Sequence, residues 1–390
     1  MERVRSFPAE RAENRPASEG RSRETNYFRR STNVRTTFPR PPQRQAIYLH
    51  VEFEDQTLDS RGTKASFHLK AKASFDGFSI FPYNRVMTER ILQISLRNAL
   101  IGRQMTNGGW SYGQASAQGD LEPTCLALLV LRWDSCPARA RGLQFLLDTQ
   151  NPNGSWPAFS GDDQEGSGLT ALALIALINS GEMALQTERG LKWLLNSKGK
   201  ESLWLWKWKF RTSDTHVRFD PNKFGWPWMP DTCSWVIPTA FSIIALKQAF
   251  VCCKTDEVSL RIRRGKEMLL DRACPGGGWN AGNGVVYGVP MASHLDATAT
   301  ALLALHGEEM DDIINSGLDW LERRVVTCSA PWSMAWCLLA LDAYDRPVGS
   351  LADRLSNLSD PGLIRDSARL AAMTLALDCL VQGNVFKVYA

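Results

Sequence analysis

The 390-residue sequence predicts an all-α protein: an (α/α)6 toroid over residues 87–390, behind a basic tail and a short extended segment. Three observations carry this reading. A small-residue apolar segment recurs six times, an amphipathic segment recurs six times in alternation with it, and Gly-Trp turns separate the two kinds. Apolar helices polar on no face must be buried, whereas amphipathic ones bury one stripe and leave the other in water. Alternation of the two requires an inner ring wrapped by an outer ring, and six pairs close it.

The chain is best taken in order. Residues 1–45 hold eleven Arg and five Glu, with almost no apolar periodicity, and read as a disordered tail. Removing that net +6 from the overall +4 leaves a net −2 for the remaining chain, which excludes a nucleic-acid-binding body. Residues 46–86 alternate apolar and polar positions and predict a short extended or β segment. Met87 opens the first helix, with Thr88 as N-cap.

The apolar segments are LEPTCLALLVL (121–131), SGLTALALIAL (167–177), VIPTAFSIIAL (236–246), LDATATALLAL (295–305), PWSMAWCLLAL (331–341) and SARLAAMTLAL (367–377). Each ends in Leu at the same offset, and the first four have Thr in the fourth place: Thr124, Thr170, Thr239 and Thr298. The amphipathic segments lie at 87–104, 139–150, 187–197, 261–273, 314–325 and 351–360. All fourteen Trp fall between Trp110 and Trp336. Trp110, Trp156 and Trp279, in the Gly-Trp turns, read as staples between helix ends. Trp204, Trp206 and Trp208 alternate in LWLWKWKF, inside an insertion. With Trp226, Trp228 and Trp235 they are candidates for an aromatic wall that holds an apolar ligand or faces a carbocation. Glu122, beside Pro123 at a helix start, reads as a carboxylate favoured by the helix dipole.

The stretch RGLQFLLDTQNPNGSW (141–156) resembles the QW motif of squalene–hopene cyclases and related triterpene cyclases. Arg141, Gly142, Phe145, Leu146, Gln150, Gly154 and Trp156 fall at that motif's positions, and weaker copies stand at 264–279 and 103–110. The resemblance covers roughly residues 87–380. It implies the toroid, an isoprenoid or other apolar small molecule as ligand, and a cyclisation begun by protonating an alkene. The proton comes from a DxDD motif placed just before Thr-Ala at an inner-helix start. Here Thr298 and Ala299 follow His294, Leu295, Asp296 and Ala297, so Asp296 alone matches an acid of the motif. Asp296 is thus the candidate proton donor, with His294 as a cation beside it. Triterpene cyclases resemble two such barrels, and this chain has residues for one, which points to a second toroid or a partner protein.

A second resemblance is to the β subunits of protein prenyltransferases, which hold zinc with Asp-x-Cys at one inner-helix start and His at the next. Asp231, Cys233 and His294 occupy those places, and such a donor set leaves one zinc position open for substrate. The sequence shows no other cofactor signature: no P-loop, no dinucleotide-binding glycine motif, no HExxH. A third reading is a non-catalytic toroid that binds a lipid or a partner. Nine cysteines without a CxxC pair predict reduced thiols and a cytoplasmic protein. With no apolar run long enough to span a bilayer, any membrane contact is expected to be peripheral.

Overall fold

The computed structural model describes residues 81–390, except 114–115, 117, 160, 162–163, 182–183, 214–215, 217, 252–253 and 389–390, and except the side chains of 81–87. The described residues all belong to one compact unit, Phe75–Ala390. The predicted disordered tail (1–45) and most of the extended segment (46–80) lie outside the described residues. Residues 81–86 are helical, not extended. The first helix, α1 (Phe81–Ile101), starts earlier than Met87 and places Thr88 inside it, not at its cap. Pro82 sits in the first turn, where its missing N–H costs nothing.

The inner helices are α2 (Leu121–Val130), α4 (Thr170–Ser180), α7 (Val236–Phe250), α9 (Leu295–Leu305), α11 (Pro331–Ala343) and α13 (Ser367–Gln382). The outer ones are α1, α3 (Pro137–Thr149), α5 (Ala184–Asn196), α8 (Asp256–Asp271), α10 (Asp312–Val325) and α12 (Gly349–Asn357). Each inner helix packs on the next in the order α2, α4, α7, α9, α11, α13, and α13 packs back on α2, so the ring is closed. The outer helices α3, α5, α8, α10 and α12 pack on α2, α4, α7, α9 and α11, and α1 packs on α13. A buried ion pair helps fix that last seam: Arg97 on α1 meets Asp378 on α13 at 2.6 Å and Asp134 at 2.8 Å. The protein is an all-α toroid, and the six-fold alternation in the sequence is its cause.

The Gly-Trp turns show how the rings are joined. Trp110, Trp156, Trp226 and Trp279 are each at most 1% exposed. Each backbone N–H donates to the fourth-place Thr hydroxyl of its inner helix, Thr124, Thr170, Thr239 and Thr298, at 2.8–2.9 Å. Each indole Nε1–H donates to a carbonyl of the preceding outer helix: Leu100, Leu146, Leu194 and Leu269. The far edge of each ring lies against a glycine of the following outer helix. A Cβ at Gly142, Gly190, Gly265 or Gly317 would come within 2.9, 2.8, 2.8 or 2.7 Å of that ring. One Trp therefore ties three helices together, and the Gly in each RG-type segment is there to admit it. Trp226 is the fourth such staple and not part of a ligand wall, a correction to the sequence reading.

Two features were not legible in the sequence. Between Trp279 and α9 a two-residue hairpin forms, β1 (Val285–Val286) paired antiparallel with β2 (Val289–Pro290). Its tight turn puts Tyr287 and Gly288 at φ 51° and 73°, the left-handed region. The other is the C-terminal segment after α13. Phe386, 0% exposed, meets Trp336 at 5.2 Å and Phe241 at 6.5 Å between ring centroids, and those two meet at 5.5 Å. Phe241 and Trp336 belong to α7 and α11, which α9 separates, so this cluster bridges the ring and fills its axis at that level. Asn384 and Gln248 fasten the segment through bonds to the Leu339 and Val385 carbonyls. Phe386→Ala is expected to cost ~3–5 kcal/mol, the usual range for emptying a buried phenyl site, and urea denaturation reads it directly.

Candidate functional site: the inner-helix N-terminal mouth

The C-terminal segment is fastened near the C-terminal ends of the inner helices and sends Phe386 inward to Phe241 and Trp336 at mid-helix, so the opposite end, where the N-termini converge, is the candidate site. Register with the fourth-place Thr puts equivalent residues in the second place of each inner segment: Glu122, Gly168, Ile237, Asp296, Trp332 and Ala368. Four are apolar or glycine, and two are acids. α2 and α9 stand three steps apart in a ring of six, so Glu122 and Asp296 face each other across the mouth. Helix N-termini carry partial positive charge, which favours a carboxylate left there after a proton departs.

Asp296 is half-buried in the first turn of α9, and its Oδ1 is buried without a hydrogen-bond partner. It lies close enough to α11 for its charge to add to burial in pushing the Cys337 thiol well above its ordinary value. His294 caps the helix through backbone geometry alone: its side chain is exposed and its N–H donates to the Trp279 carbonyl at 2.8 Å. The extended conformation at His294, φ −113° and ψ 142°, carries its ring into solvent. No ion pair joins His294 to Asp296 among the described residues, so the structure does not supply the cation expected beside this acid.

Across the mouth Glu122 accepts a hydrogen bond from the Tyr112 hydroxyl. Burial pushes the Glu122 carboxyl above the ordinary glutamate value, and the Tyr112 bond only partly offsets it. Burial and the facing carboxylate push the Tyr112 phenol up as well. The turn that presents Tyr112 is set by Asp120, which accepts from Ser111 at 2.8 Å and from the Tyr112 N–H at 3.2 Å. Sequence reasoning missed Tyr112 and gave Glu122 only a helix-end role. Its repeat register with Asp296 was the available signal.

A consequence for stability follows with a definite sign. The folded state holds the Glu122 proton more tightly than the unfolded chain, so ionisation opposes folding. Its contribution should decline as pH rises from the ordinary value of 4.5 through the raised folded value. Glu122→Gln, uncharged throughout, is expected to be more resistant to urea than the native protein near neutral pH and to lose that advantage in acid.

The remaining site residues separate into groups. Trp228 is half-buried beside the mouth, its carbonyl accepting the Gly168 N–H at 2.7 Å. A Cβ on Gly168 would lie 3.3 Å from its ring. Trp235 immediately precedes α7 and is 39% exposed. Trp332, which the sequence reading passed over, is half-buried and edge-on to Trp336 at 5.8 Å. Trp204, Trp206 and Trp208 sit on α6 (Trp204–Thr212), in the connection between α5 and α7. Trp204 and Trp208 are 79% and 59% exposed, and Trp206 lies between Lys200 and Lys209 at 4.3 and 4.7 Å.

Asp231, Cys233 and His294 do not form a metal site. Asp231 is exposed in a left-handed turn, φ 59°, His294 is exposed, and Cys233 lies near Arg272. Among the described residues no three His, Cys, Asp or Glu side chains are placed to hold a metal. Chelator treatment is therefore expected to leave the melting temperature unchanged. A fall on chelation, reversed by zinc, would restore the zinc reading.

No family model matches the chain. Over 71 residues it is 39% identical to human lanosterol synthase, a match covering 15% of this chain and 10% of that protein's length. In structure it is similar to the type II terpene cyclase MstE from Scytonema in complex with merosterolic acid A. That likeness has 16% identity and a TM-score of 0.47, covering 76% of this chain and 81% of the other. A comparable likeness, with 12% identity and a TM-score of 0.48, is to cellobiose 2-epimerase from Spirochaeta thermophila. It covers 76% of this chain and 99% of that one. A fold does not by itself fix an activity, so function is argued from the mouth itself.

Proposed function

We propose that this toroid is a terpene cyclase-like enzyme that seats the end of an isoprenoid chain at the inner-helix N-terminal mouth and protonates it from Asp296. The observation that carries the reading is the unpartnered Oδ1 of Asp296, a buried carboxyl oxygen on a rim whose other repeat-equivalent residues, Glu122 apart, are apolar or glycine. A carboxyl oxygen with no protein partner leaves room for a proton to face a bound alkene, while the helix N-terminus favours the carboxylate left behind. An acid that faces apolar surface has the alkene as its nearest base.

In the proposed step the Asp296 O–H bond breaks and its proton joins one alkene carbon. The alkene electron pair forms the new C–H bond and leaves a carbocation on the other carbon. A second alkene of the same chain attacks that cation to close a ring. The final cation loses a proton or adds water, and Asp296 is reprotonated from solvent. The Trp332 and Trp228 rings stand at neighbouring positions of the rim, where aromatic faces attract a passing cation. Glu122, which burial favours in its protonated form at the opposite side, donates or returns protons through Tyr112.

A second reading, a non-catalytic toroid that binds an apolar ligand or partner at the mouth, is favoured by one observation. The Phe241–Trp336–Phe386 cluster fills the axis below the mouth and limits how deep a chain can enter. The exposed rim residues Tyr112, Phe159 and Met291 would suit a second toroid or partner protein. We propose a cytoplasmic location, on cysteines that form no disulfide with one another among the described residues. No described helix is long and apolar enough to cross a membrane, so any membrane contact we propose is peripheral. Incubation with squalene and linear prenyl substrates, followed by mass spectrometry, tests the enzyme reading. Cyclic isomers or hydrates of the substrate are expected, and unchanged substrate with saturable binding would support the second reading instead.

A further inference from the structure

A cavity of about 870 Å³ lies away from the mouth, enclosed by the end of α6, the segment through Phe219, and the β1–β2 hairpin. Three nitrogen-bearing side chains line it: Arg211, His216 and Arg218. Each is exposed, and none has a side-chain hydrogen bond or ion pair among the described residues. The wall that carries them is fixed by backbone pairing to the hairpin, through Arg218 N–H to Val285 at 3.3 Å and Tyr287 N–H to His216 at 2.6 Å. The His216 ring also stacks on Tyr287 at 5.0 Å.

Among the described residues two acids line the cavity, Asp271 and Asp220. Asp271 accepts from Arg272 at 2.5 Å and from the Asp220 N–H at 3.0 Å, and Lys223 approaches it at 3.5 Å. Asp220 turns one oxygen to the Asn222 N–H at 3.0 Å. Among the described residues Asp271 is thus neutralised by Arg272 and Lys223, and Arg211 and Arg218 outnumber the one remaining acid, Asp220. Below them is an aromatic floor, Phe210 against Phe219 at 5.0 Å, with the Arg272 guanidinium over Phe219 at 4.1 Å. Phe210 and Arg211 end α6, whose earlier residues expose Trp204, Leu205 and Trp208 with Lys207 and Lys209 among them.

We infer that this cavity binds a phosphate or diphosphate group carried on an apolar chain. Two Arg forks match phosphate oxygens in a way that a single lysine charge does not. The Phe floor and the exposed apolar residues of α6 suit the chain that bears the phosphate. The inference does not rest on the acids of the mouth. The phosphate could belong to a soluble phosphate ester or to a lipid headgroup, and the test separates these.

The full-length protein is titrated calorimetrically with inorganic diphosphate, and separately sedimented with phosphatidylcholine vesicles with and without phosphatidic acid. The same is done with Arg211→Gln/Arg218→Gln, which removes two exposed, unpartnered charges and is checked for native helicity. Saturable diphosphate binding is expected, weaker by about tenfold per Arg removed and weakened by salt. Binding of diphosphate without vesicle association identifies a soluble ligand. Association only with phosphatidic acid vesicles, lost in the double variant, identifies a headgroup. The inference is overturned if the native protein binds neither probe, or if the double variant binds as well as the native protein.

Discussion

Trp279→Ala is expected to be the most damaging single substitution in the toroid core, lowering stability by ~4–5 kcal/mol. The indole is fully buried and touches α8, α9 and α10 at once, through Leu269, Thr298 and Gly317. Truncation empties that volume and also removes the indole bond to the Leu269 carbonyl, which keeps only the Arg272 N–H at 3.1 Å. The Gly317 backbone cannot move in to fill the space, because its helix is held by Ile314, Leu318 and Leu321, each at most 1% exposed. Denaturant unfolding measures the loss. A change below ~1 kcal/mol would mean that the Gly-Trp turns decorate the rings without joining them.

The second large effect belongs to Asp296. Asp296→Asn retains size and hydrogen-bonding capacity but has no acidic proton, so turnover of an isoprenoid should fall by several powers of ten, as loss of an essential acid requires. Stability should hardly change or should rise slightly, since no ion pair is lost and the unpartnered buried oxygen costs the fold something already. Glu122→Gln is the matched comparison on the opposite helix: the same chemical change in the same repeat position. If Glu122 supplies the proton, the two variants will exchange behaviours. Comparing them assigns the donor without recourse to resemblance.

The toroid was legible because its repeat is in register. Thr124, Thr170, Thr239 and Thr298 mark the same depth in four helices, and each turns out to hold a Trp backbone N–H. What was illegible depends on contacts between residues far apart in sequence or on the direction of one side chain. Asp296 and His294 are two residues apart, yet a helix start turns one toward α11 and the other to solvent. Asp231 and Cys233 have the spacing of a zinc pair, but a left-handed backbone at Asp231 directs the turn outward. Trp226 stands beside Trp228 in sequence, and only the packing against Gly265 separates a staple from a rim residue. Nothing in FKVY foretells that Phe386 will cross the ring to meet Trp336.

Deuterium tracing shows whether a proton from Asp296 begins the reaction. In heavy water the Asp296 carboxyl exchanges with solvent before each turnover, so a proton-initiated cyclisation must write solvent deuterium into the product. The account predicts a cyclic product with one non-exchangeable deuterium from the native protein, and no product from Asp296→Asn. Cyclic product without deuterium, or labelled product formed equally well by Asp296→Asn, would contradict it.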